Sequence, residues 1–183
     1  MKFQAVFDVR VACTEGWSVL GNTPVARSEE EVTGKPGYTW TEFQPTPRMS
    51  PYLFAIAIQD YIATPGPGNV TVWTTPSHVG YAGYAAQVGP AVIETVEQLY
   101  GVPYSLPKMD MVSVPNQASA MENWGLILYA YEWLLYDPAQ PDPQLDSRFD
   151  VLETVAHELA HQWFGNLVTM VSRANLQPLG VLP

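Results

Sequence analysis

The pentapeptide His157-Glu158-Leu159-Ala160-His161 constrains the fold of this chain more than any other feature. Two histidines four residues apart can hold one ion when the segment is helical, because side chains at i and i+4 then lie on one face, with Cβ atoms roughly 5–6 Å apart. Asp146 or Ser147 can cap such a helix, which would run to about Phe164 and stop at Gly165-Asn166. The sequence therefore predicts a helix that carries a metal-binding pair.

The same spacing predicts a hydrolytic site. His157 and His161 can bind one Zn²⁺, whereas Glu158 is rotated off their stripe by about 100°. That rotation is too large for Glu158 to share the metal, but it leaves the carboxylate near enough to reach a water on the ion. Zinc lowers the pKa of its water towards about 7 and polarises a carbonyl group, and a carboxylate can carry the proton to the leaving amine. These groups are the minimum required to hydrolyse a peptide bond.

A zinc site needs at least three protein ligands, and the pentapeptide supplies two. No Asp, Glu or Cys follows Glu158, and no histidine follows His161. Glu153 lies on the same helical stripe, but the span from i to i+8 covers about 12 Å of helix, too far for one ion. His78, in "TPSHVG", is interpreted as a loop histidine. Three further acids remain open as a third ligand, with no feature that favours them: Asp110, Asp146 and Asp150.

Composition limits the class of protein. The chain has 183 residues, enough for one sizeable domain or two small ones. Its 47% hydrophobic and 12% aromatic residues predict a packed core. A net charge of −10 disfavours nucleic acid and anionic membrane surfaces as partners, and no apolar run is long enough to span a membrane. Cys13 is the only cysteine, so an intrachain disulfide is excluded.

The front of the chain has the pattern of a β-rich unit. Alternating polar and apolar residues over 3–11 predict a strand, and residues 12–50 are typical of loops and short strands. The segment 52–58 is apolar on both faces, which predicts a central strand. The run "ATPGPG" at 63–68 is the best candidate for a domain boundary.

Beyond residue 68 the pattern changes to mixed α and β. Strands are predicted over 70–75, 109–114 and 124–131. A helix is predicted over 91–101, with Gly101 as its C-cap. The sequence therefore favours an α/β (α+β) arrangement behind a β-rich front.

Three stretches in order resemble the membrane alanyl aminopeptidase family, the aminopeptidase N-like zinc metallopeptidases of the gluzincin type. Residues 155–170 resemble the family's zinc helix, and "ASAMENWGL" (118–126) resembles its G-A-M-E-N signature, with Ser119 where the family usually has glycine. "TPRMSPYLFAIAI" (46–58) resembles the end of the family's N-terminal β domain. The resemblance covers about residues 1–170.

The resemblance implies a thermolysin-like catalytic domain over 63–170, preceded by the end of a β-sheet domain over 1–62. It implies a zinc-dependent aminopeptidase acting on peptides with a free N-terminus. One Zn²⁺ ion would be the cofactor, with His157 and His161 as ligands and Glu158 as general base. Glu122 would bind the α-ammonium group of the substrate. The backbone near Ala120 and Met121 would line the substrate's extended chain.

The likeness stops at Val171, and residues 171–183 are interpreted as a tail unrelated to the family. The family's third ligand is a glutamate on the next helix, and its position here is occupied by Gly180, which has no side chain. We therefore expect an interior piece of a larger enzyme that holds zinc weakly and has little or no activity. The alternative is a truncated, non-enzymatic binding module that associates or competes with a full-length homologue. Localisation stays open, because the family includes membrane-anchored and soluble forms.

Overall fold

The computed structural model describes residues 3–139 and 148–169. Its front part consists of two small antiparallel sheets built from short strands. The strands are β1 (Arg10–Thr14), β2 (Ser18–Gly21), β3 (Val25–Glu31), β4 (Tyr38–Phe43) and β5 (Ile56–Gln59). One sheet has the order β1-β4-β3, and the other pairs β2 with β5. The β-rich front predicted from turn-forming residues is confirmed.

The predicted strand over 3–11 is wrong for most of its length. The regular strand begins only at Arg10, and before it Ala5 makes one isolated bridge to the facing segment. That segment contains Pro45 and Pro47, which have no N–H groups to donate. A continuous ladder is therefore not available to these first residues, despite their alternating pattern.

The predicted central strand over 52–58 is also wrong. Residues Pro51–Leu53 form a 3-10 turn, and β5 pairs only with β2 among the described residues. Ile56 and Ile58 are 36% and 49% exposed, so one face of β5 lies at the surface of this chain. The apolar residues on both faces therefore did not indicate a central position.

The second part is organised around a mixed sheet in the order β6-β7-β8-β9. Its strands are β6 (Ile62–Pro65), β7 (Val70–Thr74), β8 (Met109–Val114) and β9 (Leu126–Ala130). β6 and β7 form an antiparallel hairpin, so that the "ATPGPG" run contributes the end of β6 and most of the loop 66–69, and β7, β8 and β9 are parallel. The three strands predicted beyond residue 68 are confirmed.

The described residues form three α-helices beside this sheet: α1 (Gly83–Tyr100), α2 (Tyr131–Leu134) and α3 (Arg148–Ala160). α1 ends at Gly101 in the left-handed conformation, as predicted, but begins at Gly83 instead of about residue 91. The earlier start was concealed by Gly89 and Pro90, which normally weaken helices. Here a Cβ on Gly89 would lie 2.7 Å from Met111, so glycine permits α1 to approach the sheet closely.

α3 contains the metal-type pentapeptide, and its inner face is part of the main core. Val151, Val155 and Leu159 are fully buried against residues of α1 and of the mixed sheet. The helix ends at Ala160, four positions before the predicted Phe164, and the predicted caps Asp146 and Ser147 lie outside the described residues. With the 151/155/159 stripe facing the core, His157 lies on an exposed face.

Asn22 ties the front sheets to the mixed sheet. Its Nδ2 donates hydrogen bonds to the carbonyl oxygens of Leu53 and Trp124, both at 2.8 Å, and its Oδ1 accepts from Ala55 N–H at 3.0 Å. The side chain is buried, so these bonds replace the water it lost on folding. The segment just before β9 is thereby fixed to the front of the chain.

A buried ion pair strengthens the same junction. Lys108 Nζ lies 2.7 Å from Asp110 and donates a hydrogen bond to the carbonyl oxygen of Gly125 at 2.7 Å, and it also contacts the carbonyl of Gly21. Burial lowers the pKa of Lys108, while the neighbouring carboxylate of Asp110 opposes that shift. Asp110 is further engaged by Trp73, whose Nε1 donates to it at 2.8 Å.

Among the described residues, no helix combines the length and the apolar character that crossing a membrane requires.

Gly125 provides a test of this junction. It has a φ of +76°, and a Cβ there would lie 2.3 Å from the carbonyl oxygen of Asn22, whereas Gly34 has a φ of +77° with open space around it. We expect Gly34→Ala to cost about 1–2 kcal/mol, because only the backbone conformation is disfavoured. Gly125→Ala should cost at least about 2 kcal/mol more, because the backbone of Asn22 must also move. Urea unfolding of the two variants checks this, and equal losses would show that the close approach does not matter.

Candidate metal and substrate site

The two histidines of the pentapeptide converge. Their Nε2 atoms are 3.1 Å apart, and their rings are nearly perpendicular, at 81° with centroids separated by 4.7 Å. His161 Nδ1 lies 2.9 Å from the carbonyl oxygen of Phe164. A carbonyl can only accept, so Nδ1 carries the proton and Nε2 keeps its lone pair. Two imidazole nitrogens are thus directed at one point, as the helical spacing predicted.

The turn that follows α3 places this carbonyl. After Ala160 the helix passes into a series of turns. Gly165 has a φ of +128°, and a Cβ there would lie 3.3 Å from His161 Nδ1, so both the backbone conformation and the available space favour glycine. Three backbone N–H groups then donate hydrogen bonds to the carbonyl oxygens of residues five positions earlier in the chain. The pairs are Asn166 to His161 at 3.1 Å, Leu167 to Gln162 at 3.2 Å and Val168 to Trp163 at 2.9 Å. The end of the helix is therefore rigidly shaped around His161.

Glu158 differs from the two histidines in being buried. It is 7% exposed, and its Oε2 has no hydrogen-bond partner among the described residues. Burial raises the pKa of Glu158 to about 7, with a further increase from the negative charge of Glu122 and an opposing effect of His161. A carboxyl group with such a pKa can both accept and release a proton near neutrality.

The loop that carries Glu122 connects two parallel strands without a helix. Residues 115–125 join β8 to β9, and the loop folds back along the outer edge of β9. Met121 exchanges backbone hydrogen bonds with Leu128 at 2.8 and 3.2 Å, and Ser119 accepts one from Ala130 at 3.0 Å. In an extended segment successive peptide groups point in opposite directions. The N–H and C=O groups of Ala120 are therefore directed away from β9.

Two amide side chains from the end of α3 hold this loop. The carbonyl oxygen of Glu122 accepts hydrogen bonds from Asn166 Nδ2 at 2.9 Å and from Gln162 Nε2 at 3.4 Å. Gln162 also accepts from Gly125 N–H through Oε1, at 3.2 Å. Gln162 and Asn166 are each 1% exposed. The loop and the end of the metal-type helix therefore form one connected unit.

A cleft of about 340 Å³ opens beside His157. It brings together three of the predicted site residues, Ala120, His157 and Glu158. Met121, Glu122 and His161 do not line it, although Glu122 influences the charge of Glu158 and His161 contacts His157. The rest of its lining is formed by Ser119, Trp133, Glu153 and Thr154.

Of the remaining candidate ligands, Asp150 lies in the first turn of α3, and the others fall into two groups. Asp110 is engaged by Lys108 and Trp73, so its carboxylate already has partners. Asp146 and Gly180 lie outside the described residues. In the part of the chain that is described, no group of three or more His, Cys, Asp or Glu side chains converges on one point.

His78 has the loop role predicted for it. Its Nδ1 lies 2.9 Å from the hydroxyl oxygens of both Thr75 and Ser77, and its ring is 4.7 Å from that of Tyr131.

Sequence reasoning missed the residues that support the site. Gln162 and Asn166 interrupt the apolar run that follows His161, which is typical of buried polar side chains, but the sequence does not identify their partners. Asn22 and Trp133 gave no local signal, because their partners are distant in sequence.

Comparison with known proteins agrees with this geometry. The model of the peptidase family M1 domain matches residues 84–176, which is just over half of the chain. The chain belongs to peptidase family M1. The match includes β8, the Glu122 loop, β9 and α3, and so covers the whole candidate site.

Individual relatives extend the similarity to the front of the chain. Probable aminopeptidase 1 of Saccharolobus solfataricus is 40% identical over 171 residues, covering 91% of this chain and 21% of that protein. Endoplasmic reticulum aminopeptidase 1 of Homo sapiens is 37% identical over 173 residues, covering 92% of this chain and 18% of that protein. Aminopeptidase N of Oryctolagus cuniculus is 37% identical over 174 residues, covering 91% of this chain and 18% of that protein. The chain thus spans about a fifth of the length of these M1 relatives.

Removal of one amide tests the connection between loop and helix. Asn166→Ala should leave the Glu122 carbonyl with only the long bond from Gln162, at a cost of about 1–2 kcal/mol. We expect faster hydrogen exchange at the amides of Asn123 and Leu126, whose bonds are internal to the loop. Gln98→Ala, which removes an exposed amide on α1, is the control. Unchanged exchange in Asn166→Ala would mean that the loop holds its shape without the helix.

Proposed function

We propose that this chain provides the metal pair, the proton-transfer group and the amine-recognition loop of a zinc-dependent aminopeptidase. The observation that carries the proposal is the double hydrogen bond from Asn166 and Gln162 to the carbonyl of Glu122. It connects a carboxylate suited to an ammonium group with a helix suited to a metal ion. Membership of family M1 and the aminopeptidase names of its relatives support the same reading.

The histidine pair fits zinc. His157 and His161 would hold the ion through their Nε2 atoms, and the contact between His161 and the Phe164 carbonyl fixes the tautomer needed for this. When bound, zinc supplies a Lewis acid that polarises a carbonyl group and lowers the pKa of a water. Because the described residues offer two ligands instead of three, we propose that this polypeptide holds zinc weakly and has little or no activity.

Glu158 is proposed as the general base. Its Oε2 is buried and has no hydrogen-bond partner in the described part of the chain, which costs free energy unless the atom has a use in the functional state. A pKa of about 7 suits a group that accepts a proton and then returns it to the leaving amine.

Glu122 is proposed to bind the α-ammonium group of a peptide with a free N-terminus. A carboxylate held by a fixed backbone forms strong charge-assisted hydrogen bonds to such a cation. The peptide groups near Ala120 and Met121 would lie along the extended substrate, since those of Ala120 are directed away from β9. Ser119 in place of a glycine reduces the freedom of this loop, so it should alter substrate preference more than binding itself.

The domain division is part of this proposal. We assign residues 1–62 to the end of an N-terminal β domain and residues 63–170 to the catalytic domain. β6 supports this boundary, because it begins at Ile62 and pairs with β7 of the mixed sheet. The predicted tail, residues 171–183, lies outside the described residues.

Metal titration tests the role of the histidines. Zinc should bind the chain with a stoichiometry near one, and His157→Gln or His161→Gln should lower the affinity at least about tenfold, because each removes one of the two ligands. His78→Gln is the matched control and should leave the affinity unchanged. Calorimetric titration gives both quantities. Zinc that stays bound through dialysis, together with chelator-sensitive hydrolysis of an alanyl amide, would contradict the weak site proposed here.

Peptide titration tests the role of Glu122. A short peptide with a free alanine N-terminus should shift the amide resonance of Glu122 in the zinc-loaded chain, and its N-acetylated counterpart should bind at least about tenfold more weakly, because acetylation removes the charge. Glu122→Gln should abolish this difference. Equal binding of the two peptides to the unmodified chain would refute the ammonium site.

A further inference from the structure

We propose that the cleft beside His157 selects peptides with an arginine or lysine after the N-terminal residue, through Trp133 and Glu153. This inference rests on the aminopeptidase function proposed above and adds a substrate class to it. The side chain of Glu153 would pair with the positive charge, and the indole of Trp133 would cover the aliphatic part or the guanidinium plane.

Glu153 is placed to act within the cleft instead of on the metal. It precedes His157 by one turn of α3, lies on the same stripe and is exposed. Its distance from the metal pair along the helix prevents it from joining them as a ligand. No ion pair or hydrogen bond to its carboxylate occurs among the residues that the structure describes. An unpaired carboxylate in the wall of a cleft is available to a ligand.

Trp133 supplies the second half of the recognition. It belongs to α2, which packs against α3, and it remains 41% exposed although it is one of the largest apolar side chains. Its indole lines the same cleft as Glu153. Long basic side chains lay their methylene groups or guanidinium plane on an indole while the charged end reaches a carboxylate. The pair therefore suits arginine best and lysine next.

The charge of the lining favours the same ligands. Among the residues that the structure describes, Glu153 and Glu158 are the acidic side chains that line the cleft, and no described lysine or arginine lines it. A substrate side chain with a negative charge would meet unfavourable electrostatics there. A small neutral side chain would leave the indole uncovered.

The position of Glu122 identifies which substrate residue enters. The N-terminal ammonium is assigned to Glu122, which does not line the cleft, whereas Ser119 and Ala120 do. An extended peptide advances about 3.3 Å per residue, so a chain that runs along the loop from Glu122 towards Ser119 moves away from its N-terminus. The side chain that reaches Trp133 and Glu153 therefore follows the first residue.

Peptide titrations of the full 183-residue chain, loaded with zinc and labelled for amide spectroscopy, test the inference. The probes are the amidated peptides Ala-Arg-Ala and Ala-Glu-Ala, with the indole N–H of Trp133 as reporter, or the backbone amide of Ala120 in the Trp133→Leu variant. We expect Ala-Arg-Ala to bind about three- to tenfold more tightly, the sum of one exposed ion pair and one cation–π contact. Glu153→Lys should reverse the order of the two peptides, and Trp133→Leu should weaken the arginine peptide alone.

Glu15→Lys is the matched control, because Glu15 is an equally exposed acid in the turn between β1 and β2. It changes the net charge by the same amount and should leave the preference for arginine intact. If it removes the preference, the effect comes from net charge and the inference is wrong. Should Glu153→Lys perturb the fold, Glu153→Gln on the same exposed helix face should abolish the preference without reversing it.

Acetylated Ala-Arg-Ala separates this inference from the proposed function. Loss of binding on acetylation together with equal affinities for the arginine and glutamate peptides would overturn the inference and leave the aminopeptidase proposal standing. An affinity for Ala-Arg-Ala that acetylation leaves unchanged would overturn the ammonium site and, with it, the placement of the basic residue after the first. Failure of every peptide to bind at millimolar concentration would overturn both.

Discussion

The carbonyl oxygen of Glu122 is the point on which the candidate site depends. It receives the amide groups of Asn166 and Gln162, which follow the last turn of the metal-type helix. Hydrogen bonds of this kind contribute only about 1 kcal/mol each, but a buried carbonyl left without them costs more. The loop also bonds to β9 through Met121 and Leu128, and these two amide contacts fix it to the end of the helix. The loop proposed to recognise the amine and the pair proposed to bind the metal are thereby connected in one unit.

The surrounding fold holds the loop from the opposite side. Asn22 donates to the carbonyl of Trp124, and Lys108 donates to that of Gly125, so the front sheets fix the segment just after Glu122. The parallel strands β8 and β9 would ordinarily be joined by a longer crossover with a helix. Here residues 115–125 cover the edge of β9 instead, which places Ala120 at the wall of the cleft. A shared junction between the two parts of the chain thus supports the site.

Local patterns were sufficient to predict the converging histidines and the two buried strands, but not the residues that support them. The spacing of His157 and His161 predicted the converging pair, because i and i+4 positions meet on any helix. The strands at 109–114 and 124–131 were predicted because short apolar runs between turn formers are typical of buried strands. The strand at 52–58 was wrong because an apolar pattern does not indicate whether a neighbouring strand exists. The roles of Gln162 and Asn166 depend on contacts about 40 residues distant in sequence, which no local pattern contains.

Paramagnetic metal substitution tests the central claim that metal pair and recognition loop form one unit. Cobalt binds the same nitrogen ligands as zinc, so it should occupy the site of His157 and His161. We predict that cobalt shifts or broadens the amide resonances of Glu122 and Asn123 while those in the turn at Gly34 stay unchanged, and that His157→Gln removes the effect. Cobalt that binds through the histidines but leaves the loop resonances unchanged would contradict this account.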